Sequence, residues 1–411
     1  MLKSKSPLKH AIKFLIVNQH ASGPDEPATR SYDIGRAIVS DGNNVTVIAS
    51  SYSFYSRQEK KLLPNQWFLE EYLDGVRFIW VRTFPYQKND WRRVLNMASF
   101  CINAIRIGII LNDRHDVVMA INPPPPAIFA GWIMSLIHRA RFWIEVKDLW
   151  PQTLISMGAL SEKSLIAWAM RLYERYFFNR ADKIFTLLPF AVEYIKSLGI
   201  AENKVEWIPN GVDFGRVQGI KSYTGGTPGQ LTVMYLGGHT ASNALDIILH
   251  AAVILRKQDI KEVKFIFIGD GVEKPKLIDQ ARKLDLDNIE FRDKVPKAEV
   301  YKVMNEADAF VMSLKSVPDL HRYGVSLNKM FDYLISGRPT ILAGDPRNNP
   351  IRDTGAGFTV APENPLAMAE AIKQLLDMSP HKRKEMGAKG FEYVRHNNDI
   401  ETLARKFEEF F

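Results

Sequence analysis

The amino-acid sequence predicts an α/β protein with two doubly wound, parallel-sheet (Rossmann-like) domains that face one another across a cleft. The chain has 411 residues, which is more than a single hydrophobic core usually supports. Short apolar segments alternate with amphipathic helical patterns from end to end, and this alternation is typical of parallel sheets covered on both faces. The alternation restarts after a glycine-rich segment at 218–230, which predicts a loop or linker followed by a second sheet.

Each strand is predicted where apolar residues run continuously between turn formers. In the first half these runs are IKFLIV (12–17), NVTVIAS (44–50), VRFIWV (76–81), DVVMAI (116–121), RFWIEV (141–146) and DKIFTLL (182–188). In the second half they are LTVMYLG (231–237), VKFIFIG (263–269), IEFRD (289–293), AFVMSL (309–314) and PTILAG (339–344). We predict a first domain at 1–212, a second domain at 213–394, and a last helix at 395–411 that crosses back to the first domain.

Charge is concentrated in the first half of the chain. The net charge is +8, and residues 1–210 carry 26 Lys and Arg against 19 Asp and Glu, which gives +7. Nucleic acid, an anionic membrane or a phosphorylated substrate would each suit a basic surface, and charge alone does not choose among them. The single cysteine, Cys101, excludes an internal disulfide and is expected to be a buried apolar residue in a reducing compartment.

Two apolar segments are candidates for a targeting peptide or a membrane span. The basic and then apolar start of the chain lacks a small-residue cleavage site, so we predict a solvated tail followed by a strand. The run from Val94 to Leu111 contains Asn96, Asn103 and Arg106, which predicts that it does not span a bilayer.

The segment GVSLNKMFDYLISGRPTI, 324–341, predicts a helix whose polar side binds an anion. Its apolar side chains recur at helical spacing, whereas Asn328, Lys329 and Asp332 gather on another side. Ser326 is expected to cap the helix, so that free backbone N–H groups of the first turn point the same way as Lys329. Glycines end three strands of the same half, at 237–238, 269–271 and 344, and predict a pocket beside this helix.

Several enzyme classes lack their sequence signatures here. The chain has no G-x-G-x-x-G after its first strand, no P-loop, no Cys/His cluster for zinc and no G-x-S-x-G elbow. His138, His250 and His381 fall in helical, mostly polar contexts and are expected at the surface.

At 324–341 the sequence resembles the retaining nucleotide-sugar glycosyltransferases of family 4, which have the GT-B fold. Further segments agree in order: KVEWIPNGVDF (204–214), VMYLGG (233–238), FIFIGDG (265–271), ADAFVMSL (307–314) and GAGFTV (355–360). The segment IEVKDLWPQTL, 144–154, looks like the branch that builds bacterial surface polysaccharides on a lipid diphosphate.

The resemblance implies a donor site in the second domain with some departures from the family pattern. Family members carry two glutamates eight positions apart, which here correspond to Gly324 and Asp332, so Asp332 is expected to keep the donor ribose. The usual Arg and Lys contacts to the diphosphate are missing, and Lys329 is the leading replacement, with His239, Arg322 and Arg347 as further candidates. The expected donor-binding set is Gly238, His239, Gly269, Asp270, Gly271, Arg292, Arg322, Gly324, Ser326, Leu327, Asn328 and Asp332.

The acceptor is expected against the first domain. His20, Gly23 and Arg30 belong to the loop after the first strand, and Lys147 and Asp148 follow a later one. Asp148 either orients the acceptor and takes its proton or serves as a structural carboxylate. Asp148 and Lys329 are the two predicted catalytic residues.

The resemblance implies transfer of an N-acetylated or deoxy sugar, with UDP as the expected nucleoside diphosphate, to a lipid-diphosphate-linked saccharide in the synthesis of O-antigen, capsule or exopolysaccharide. A helix N-terminus and one lysine can neutralise the departing diphosphate without a metal, so we expect no metal and no cofactor, and we expect no nucleic-acid partner. Basic helical segments with Trp91, Phe100, Tyr176 and Phe177 predict a peripheral position on the cytoplasmic face of the membrane, and the alternative is that these side chains belong to helical core stripes. An epimerase or phosphorylase on the same scaffold and a noncatalytic binding protein are the alternatives.

Overall fold

The computed structural model describes residues 11–26, 28–111 and 113–411, so the predicted tail at 1–10 lies outside the described residues. The chain forms two compact units. The first runs to Pro209 and also includes Ile400–Phe411, and the second is Asn210–Asp399. The predicted division lay three residues later along the chain, after 212.

The first unit alternates strands and helices. Its elements up to residue 207 are β1 Lys13–Val17, α1 Arg30–Ser40, β2 Asn44–Ser50, β3 Tyr52–Ser53, β4 Gln58–Glu59, β5 Phe68–Leu73, β6 Val76–Val81, α2 Trp91–Ile110, β7 Val117–Asn122, α3 Pro125–His138, β8 Arg141–Val146, α4 Gln152–Ser156, α5 Leu165–Arg180, β9 Lys183–Thr186, α6 Ala191–Ser197 and β10 Val205–Trp207. Every strand predicted from an apolar run in this half is present.

The main sheet of the first unit has the strand order β10-β9-β8-β7-β1-β2-β6-β5. Its pairs are parallel except β5–β6, which is an antiparallel hairpin at one edge. Ile16 of β1 lies opposite Val47 of β2 and Met119 of β7, and all three side chains are buried. Burial on both faces explains why these strands are continuous apolar runs rather than alternating patterns.

The second unit repeats this architecture. Its elements are β11 Leu231–Leu236, α7 Asp246–Lys257, β12 Val263–Ile268, α8 Lys274–Lys283, β13 Ile289–Arg292, α9 Lys297–Val303, β14 Ala309–Ser313, α10 Pro318–His321, α11 Asn328–Ile335, β15 Thr340–Ala343, α12 Pro350–Thr354, β16 Gly357–Val360, α13 Pro365–Asp377 and α14 Pro380–Asn397. The six strands form one parallel sheet in the order β13-β12-β11-β14-β15-β16.

The final helix, α15 Ile400–Glu408, belongs to the first unit and packs against α1. Its Ile400, Leu403, Ala404 and Phe407 side chains are buried in the same core as Phe14 and Trp143. These four positions lie on one helical face, so the chain returns to cover apolar surface that α1 alone leaves open. The segment at 218–230 is a loop of the second unit, and its Tyr223 is buried against Arg338.

Helices α2, α3 and α5 form one layer over the sheet of the first unit. In the described part of the chain, α2 alone is long and apolar enough to cross a membrane, with a mean hydropathy of 1.3 over its best 18-residue window, of which 28% is buried. Asn96, which we expected to interrupt a span, is buried and donates to Thr83 and to the carbonyl of Phe84. Phe100 packs in the core on the same face.

Two sequence expectations on buried side chains have opposite outcomes. Cys101 is buried, as predicted, and burial raises the pKa of its thiol to about 11. His138 was expected at the surface, and this is wrong, because it is buried and packs edge-on against His115 with 5.0 Å between ring centroids. The sequence around His138 looked polar because charged residues follow it along the chain. Its ring, however, packs on His115, which lies elsewhere in the sequence.

Candidate functional site

The carboxyl ends of β11 and β12 are joined by two interlocking glycine loops. A Cβ placed on Gly269 would lie 2.0 Å from the carbonyl oxygen of Gly237, and one on Gly271 would lie 2.2 Å from that of His239. Gly269 has a φ of +142°, which L side chains rarely adopt. The backbone N–H of His239 donates to the carbonyl of Asp270 at 2.9 Å, so the two loops hold each other in place.

A Gly269→Ala variant tests this close approach. The added methyl would displace the 237–239 loop, and we expect a loss of roughly 1–3 kcal/mol in the free energy of unfolding together with weaker nucleotide binding. Urea unfolding of the variant measures the first effect. Gly229→Ala is the control, because Gly229 also has a positive φ but has open space around its Cβ position. Equal stability of the two variants would contradict the close-approach argument.

His239 lies beneath these loops rather than in solvent. Its side chain is fully buried, and in the described structure neither ring nitrogen has a hydrogen-bond partner. Burial, and then Lys274 nearby, lower the pKa of His239, so the ring is neutral at pH 7. In this structure His239 therefore packs under the loop and carries no positive charge for a phosphate.

Helix α11 is attached to the end of β11 by Tyr333. The Tyr333 hydroxyl donates to the carbonyl of Leu236 at 2.8 Å and accepts from the N–H of the same residue at 2.9 Å. Its ring stacks on Phe310 with 4.4 Å between centroids. These contacts hold α11 against the end of β11, where the glycine loops begin.

Lys329, in that first turn, reaches the loop that follows β11. Its ammonium donates to the side-chain oxygen of Asn243 and to the hydroxyl of Tyr235, the latter at 3.2 Å. Tyr235 and Asn243 in turn both donate to the carbonyl of Gly238, at 2.7 and 2.8 Å. Burial lowers the pKa of Lys329 to about 8, so the group is mostly an ammonium ion at pH 7. A cation held at this edge by neutral partners suits an anionic ligand.

The prediction that Ser326 caps this helix is wrong. The N-cap is Leu327, and no side chain in the described structure caps it. The Ser326 hydroxyl instead accepts from the backbone N–H of Asn210 at 2.9 Å, and the Asn210 amide donates to the carbonyl of Ser326 at 2.7 Å. The helix therefore begins two residues after Ser326, and within its first turn the N–H of Met330 donates to the carbonyl of Leu327 at 3.0 Å, which leaves the N–H groups of Asn328 and Lys329 for an anion.

Asp332 lies one turn further along α11. It is half-buried and accepts from the hydroxyl of Tyr301 at 3.0 Å. This bond fixes a carboxylate oxygen on the same helix as Lys329. The proposed contact of Asp332 with the donor ribose remains a prediction.

The remaining donor candidates differ in how they are held. Arg292 pairs with Glu290 at 2.6 Å and with Glu306 at 2.7 Å, and these carboxylates raise its pKa. Arg322 is exposed and its guanidinium lies over Tyr323, while Asn328 is also exposed. Arg292 is therefore committed to two ion pairs, and Arg322 and Asn328 face solvent.

Gly324 and Leu327 belong to the segment that leads into α11. Gly324 is buried with a φ of +91°, and its N–H donates to the carbonyl of His321 at 3.0 Å. The adjoining Val325 is held at both its N–H and its carbonyl by the side chain of Asn348. The segment therefore has a fixed path into the helix.

In the first unit, Asp148 follows β8 at the carboxyl edge of the sheet. It accepts from the hydroxyl of Thr153 at 2.7 Å, which stabilises the turn into α4. Burial raises the pKa of Asp148, while the bonds from Thr153 and from the N–H of Leu149 oppose that shift. The contacts show a structural carboxylate, and a raised pKa also makes it a better proton acceptor.

Arg30 is buried and ion-paired. Its Nε donates to Glu145 at 2.8 Å, and its terminal nitrogens donate to the carbonyls of Ile208 and Pro209. The ammonium of Lys147 lies 3.8 Å from the other oxygen of Glu145, and burial lowers its pKa. These contacts fix the end of the first unit, and the acceptor roles of Arg30 and Lys147 stay predictions.

His20 and Gly23 lie in the loop after β1. The imidazole of His20 packs on Phe54 with 4.7 Å between ring centroids, and the guanidinium of Arg93 lies over the same Phe54 ring. Burial, with Arg93 and Lys147 nearby, lowers the pKa of His20 to about 3, so it is neutral at pH 7. Gly23 lies close to Leu73. A neutral imidazole beside aromatic rings suits a sugar hydroxyl better than a phosphate.

Sequence reasoning missed the residues that hold Lys329 and Arg30. Tyr235, Asn243 and Tyr333 looked like strand, loop and helix core residues, and Glu145 looked like part of an apolar strand. A carboxylate inside the apolar run RFWIEV was the available signal, because a buried charge requires a partner. Among the described residues, no group of three or more His, Cys, Asp and Glu side chains is placed to hold a metal ion.

Two family models match the chain in its two halves. Residues 26–211 match the glycosyl transferase 4-like domain, and residues 230–378 match the glycosyl transferases group 1 model. No curated protein sequence matches this chain.

Solved structures with the same fold extend over nearly the whole chain. Sucrose-phosphate synthase from Thermosynechococcus elongatus has a TM-score of 0.72 at 14% identity and covers 97% of this chain and 98% of its own. HepE from Anabaena, solved with UDP-glucose, has a TM-score of 0.65 at 14% identity over 97% and 98% of the two chains. WaaG, a glycosyltransferase involved in lipopolysaccharide biosynthesis, has a TM-score of 0.65 at 14% identity over 96% and 98%.

The two parallel-sheet units have the GT-B fold. The chain belongs to the family 4 glycosyltransferases. The predicted fold class and enzyme class are confirmed, and the family decides for a glycosyltransferase over an epimerase, a phosphorylase or a noncatalytic protein.

Proposed function

We propose that the enzyme transfers a sugar from a UDP-linked donor, with retention of configuration and without a metal, to a lipid-diphosphate-linked saccharide in surface-polysaccharide synthesis. The observation that carries the donor half of this proposal is Lys329, a half-buried ammonium beside the Gly238 loop at the strand ends of the second unit. HepE, solved with UDP-glucose, and WaaG, from lipopolysaccharide biosynthesis, support the donor and the pathway class.

The leaving diphosphate needs positive charge where its own charge grows. The glycosidic carbon becomes cation-like while the diphosphate departs, so preorganised donors at the phosphates lower the barrier. The N-terminus of an exposed helix contributes about 0.3–1 kcal/mol to such an interaction, which is too little alone. Lys329 supplies the larger share, and the acceptor hydroxyl attacks on the face from which the diphosphate leaves.

The acceptor half of the site lies on the first unit. Asp148 takes or orients the proton of the acceptor hydroxyl, and its raised pKa suits that role. The neutral His20 and the aromatic ring of Phe54 offer a hydrogen bond and a stacking surface to a saccharide.

The helical layer of the first unit supports a membrane position. Trp91 and Tyr176 are 62% and 44% exposed, as expected for an interface, whereas the prediction is wrong for Phe100 and Phe177, which are buried. Those two rings fill the core beneath α2 and α5. We infer a peripheral position on the cytoplasmic face of the membrane, supported by the exposed aromatic side chains and the basic first half of the chain.

A transfer assay tests the proposed function. Purified protein is incubated with a panel of nucleotide sugars, with a lipid-diphosphate saccharide, and with EDTA present throughout. We expect glycosylated lipid only when both donor and acceptor are supplied, and equal rates with and without EDTA. Product formed without acceptor, or only after metal is added, would contradict the proposal.

The pKa of Lys329 predicts how UDP affinity depends on pH. The ammonium is present below about pH 8 and is lost as the pH rises through that value. UDP affinity is therefore expected to fall by about half between pH 7 and 8 and then by up to about tenfold per pH unit. Calorimetric titrations from pH 7 to pH 9.5 measure this, with Lys329→Ala as the control for ionisation of the nucleotide. An identical profile in both proteins would contradict the assignment.

A further inference from the structure

A cavity of about 390 Å³ opens within the first unit, apart from the residues assigned above. It lies at the carboxyl edge of the sheet, because Asn122 ends β7 and Trp150 follows β8 two residues after Asp148. The start of α3 supplies Pro125 and Pro126, and α5 supplies one face at helical spacing, including Ile166, Met170 and Glu174. The lining is otherwise apolar, so the cavity suits hydrocarbon.

Two polar side chains in the cavity have unused hydrogen-bonding atoms. In the described structure, Oδ1 of Asn122 and Oε1 of Glu174 are buried without a partner, and the two residues are 2% and 3% exposed. The other carboxyl oxygen of Glu174 accepts from Tyr194 at 2.7 Å. Burial raises the pKa of Glu174 to about 8, so its carboxyl is neutral at pH 7 and is able to donate. Unpaired buried polar atoms are costly, which points to a ligand that carries a polar group into the cavity.

The cavity opens on an apolar and basic surface. Ile166, which lines it, is 63% exposed, and its neighbours Leu165 and Trp168 are exposed as well. The helices α2, α3 and α5 together contain six arginines, three in α2 and three in α5, and one acidic residue, the buried Glu174. Exposed apolar side chains and an excess of arginine on these helices are complementary to the chains and headgroups of anionic lipids.

We propose that this cavity binds the hydrocarbon segment nearest the phosphate of a phosphorylated lipid, with the Glu174 carboxyl donating to the oxygen that joins the hydrocarbon to the phosphate. The chain enters past Ile166 from the membrane, and the phosphate end lies toward the strand edge that carries Asp148. That the lipid is the glycosyl acceptor rests on the proposed function. A free apolar molecule without phosphate is the competing occupant, and the excess of arginine on α2 and α5 favours the phosphorylated one.

A series of n-alkyl phosphates of increasing length, kept below micelle-forming concentrations, tests the proposal by calorimetry on the full chain. Each added methylene that enters the cavity is expected to raise the affinity by about fourfold, until the cavity is full and the affinity levels off. The matching n-alkanols are expected to bind more weakly at every length. Equal binding of alkanols and phosphates would overturn the phosphorylated ligand in favour of a free apolar one.

Ala169→Trp fills the cavity while sparing the core. Ala169 lines the cavity and its side chain is exposed, so a tryptophan at this position can occupy the cavity without displacing core residues. The variant is expected to lose the chain-length dependence. Ala98→Trp, at another exposed helical alanine on α2, is the matched control and should keep it. Undiminished chain-length dependence in Ala169→Trp would overturn the site.

The transfer assay separates the acceptor role from the binding site. Wild-type enzyme is expected to prefer long-chain over short-chain lipid-diphosphate acceptors, and Ala169→Trp is expected to remove that preference while retaining transfer to short chains. Equal preference in both proteins would overturn the acceptor assignment of the cavity. Absence of transfer from every donor would instead overturn the proposed function, and the alkyl phosphate titrations would still decide the cavity.

Discussion

Replacing Lys329 by alanine is expected to lower the transfer rate by about 10²–10³ and to leave thermal stability near that of the wild type. Removing one preorganised donor from a developing anion typically costs that much in rate. Stability should hold because burial already lowers the pKa of Lys329, so the folded state gains nothing from its charge. Steady-state transfer assays and thermal unfolding of the same preparation measure both effects.

Lys276→Ala is the matched control for this experiment. Lys276 lies on α8 of the same unit with a side chain that is 78% exposed, and its loss should change neither rate nor stability. Lys329→Arg retains the positive charge, but its planar guanidinium does not reproduce the hydrogen bonds of the ammonium to Asn243 and Tyr235. Partial activity is therefore expected. Full activity of Lys329→Ala would refute its role at the diphosphate.

Replacing Glu145 by alanine is expected to be the most destabilising single change in the first unit. It would leave the guanidinium of Arg30 and the ammonium of Lys147 buried near one another without a carboxylate between them. Breaking a buried ion pair in this way typically costs 3–5 kcal/mol, which corresponds to a fall of roughly 10 °C in the melting temperature of a unit this size. Calorimetric unfolding measures the shift.

Glu202→Ala provides the comparison, because Glu202 pairs with Lys196 on the surface with side chains 62% and 66% exposed. Exposed pairs contribute about 0–1 kcal/mol, so this variant should melt close to the wild type. Glu145→Ala together with Arg30→Met should recover part of the loss, since the pair is removed as a whole. Equal melting temperatures for Glu145→Ala and Glu202→Ala would contradict the conclusion that the buried Arg30–Glu145 ion pair stabilises the first unit.

The strands of both sheets were predictable because they are buried on both faces. A strand such as β1 or β12 is then a continuous apolar run, and it can be predicted without knowing which strands pair with it. The hairpin strand β5 was missed because it lies at an edge, where FLEEYL alternates with exposed residues. The short β16, with its partly exposed GFTV, was recognised only as a family segment and not as a strand.

The candidate site was predictable only in part, because sequence patterns locate residues without showing their partners. Lys329 was found from its place in a helix and a family motif, whereas Asn243 and Tyr235 come from distant segments that only the folded sheet brings to it. Ser326 has the residue type of an N-cap, but its hydroxyl is used by Asn210, more than a hundred positions away. Short-range rules do not contain such contacts.

A structure of the enzyme with UDP bound tests the central claim most directly. We predict that Nζ of Lys329 leaves the side chain of Asn243 and lies 2.7–3.2 Å from a diphosphate oxygen, with the first N–H groups of α11 facing the same phosphates. A diphosphate bound elsewhere while Lys329 still donates to Asn243 and Tyr235 would contradict the account.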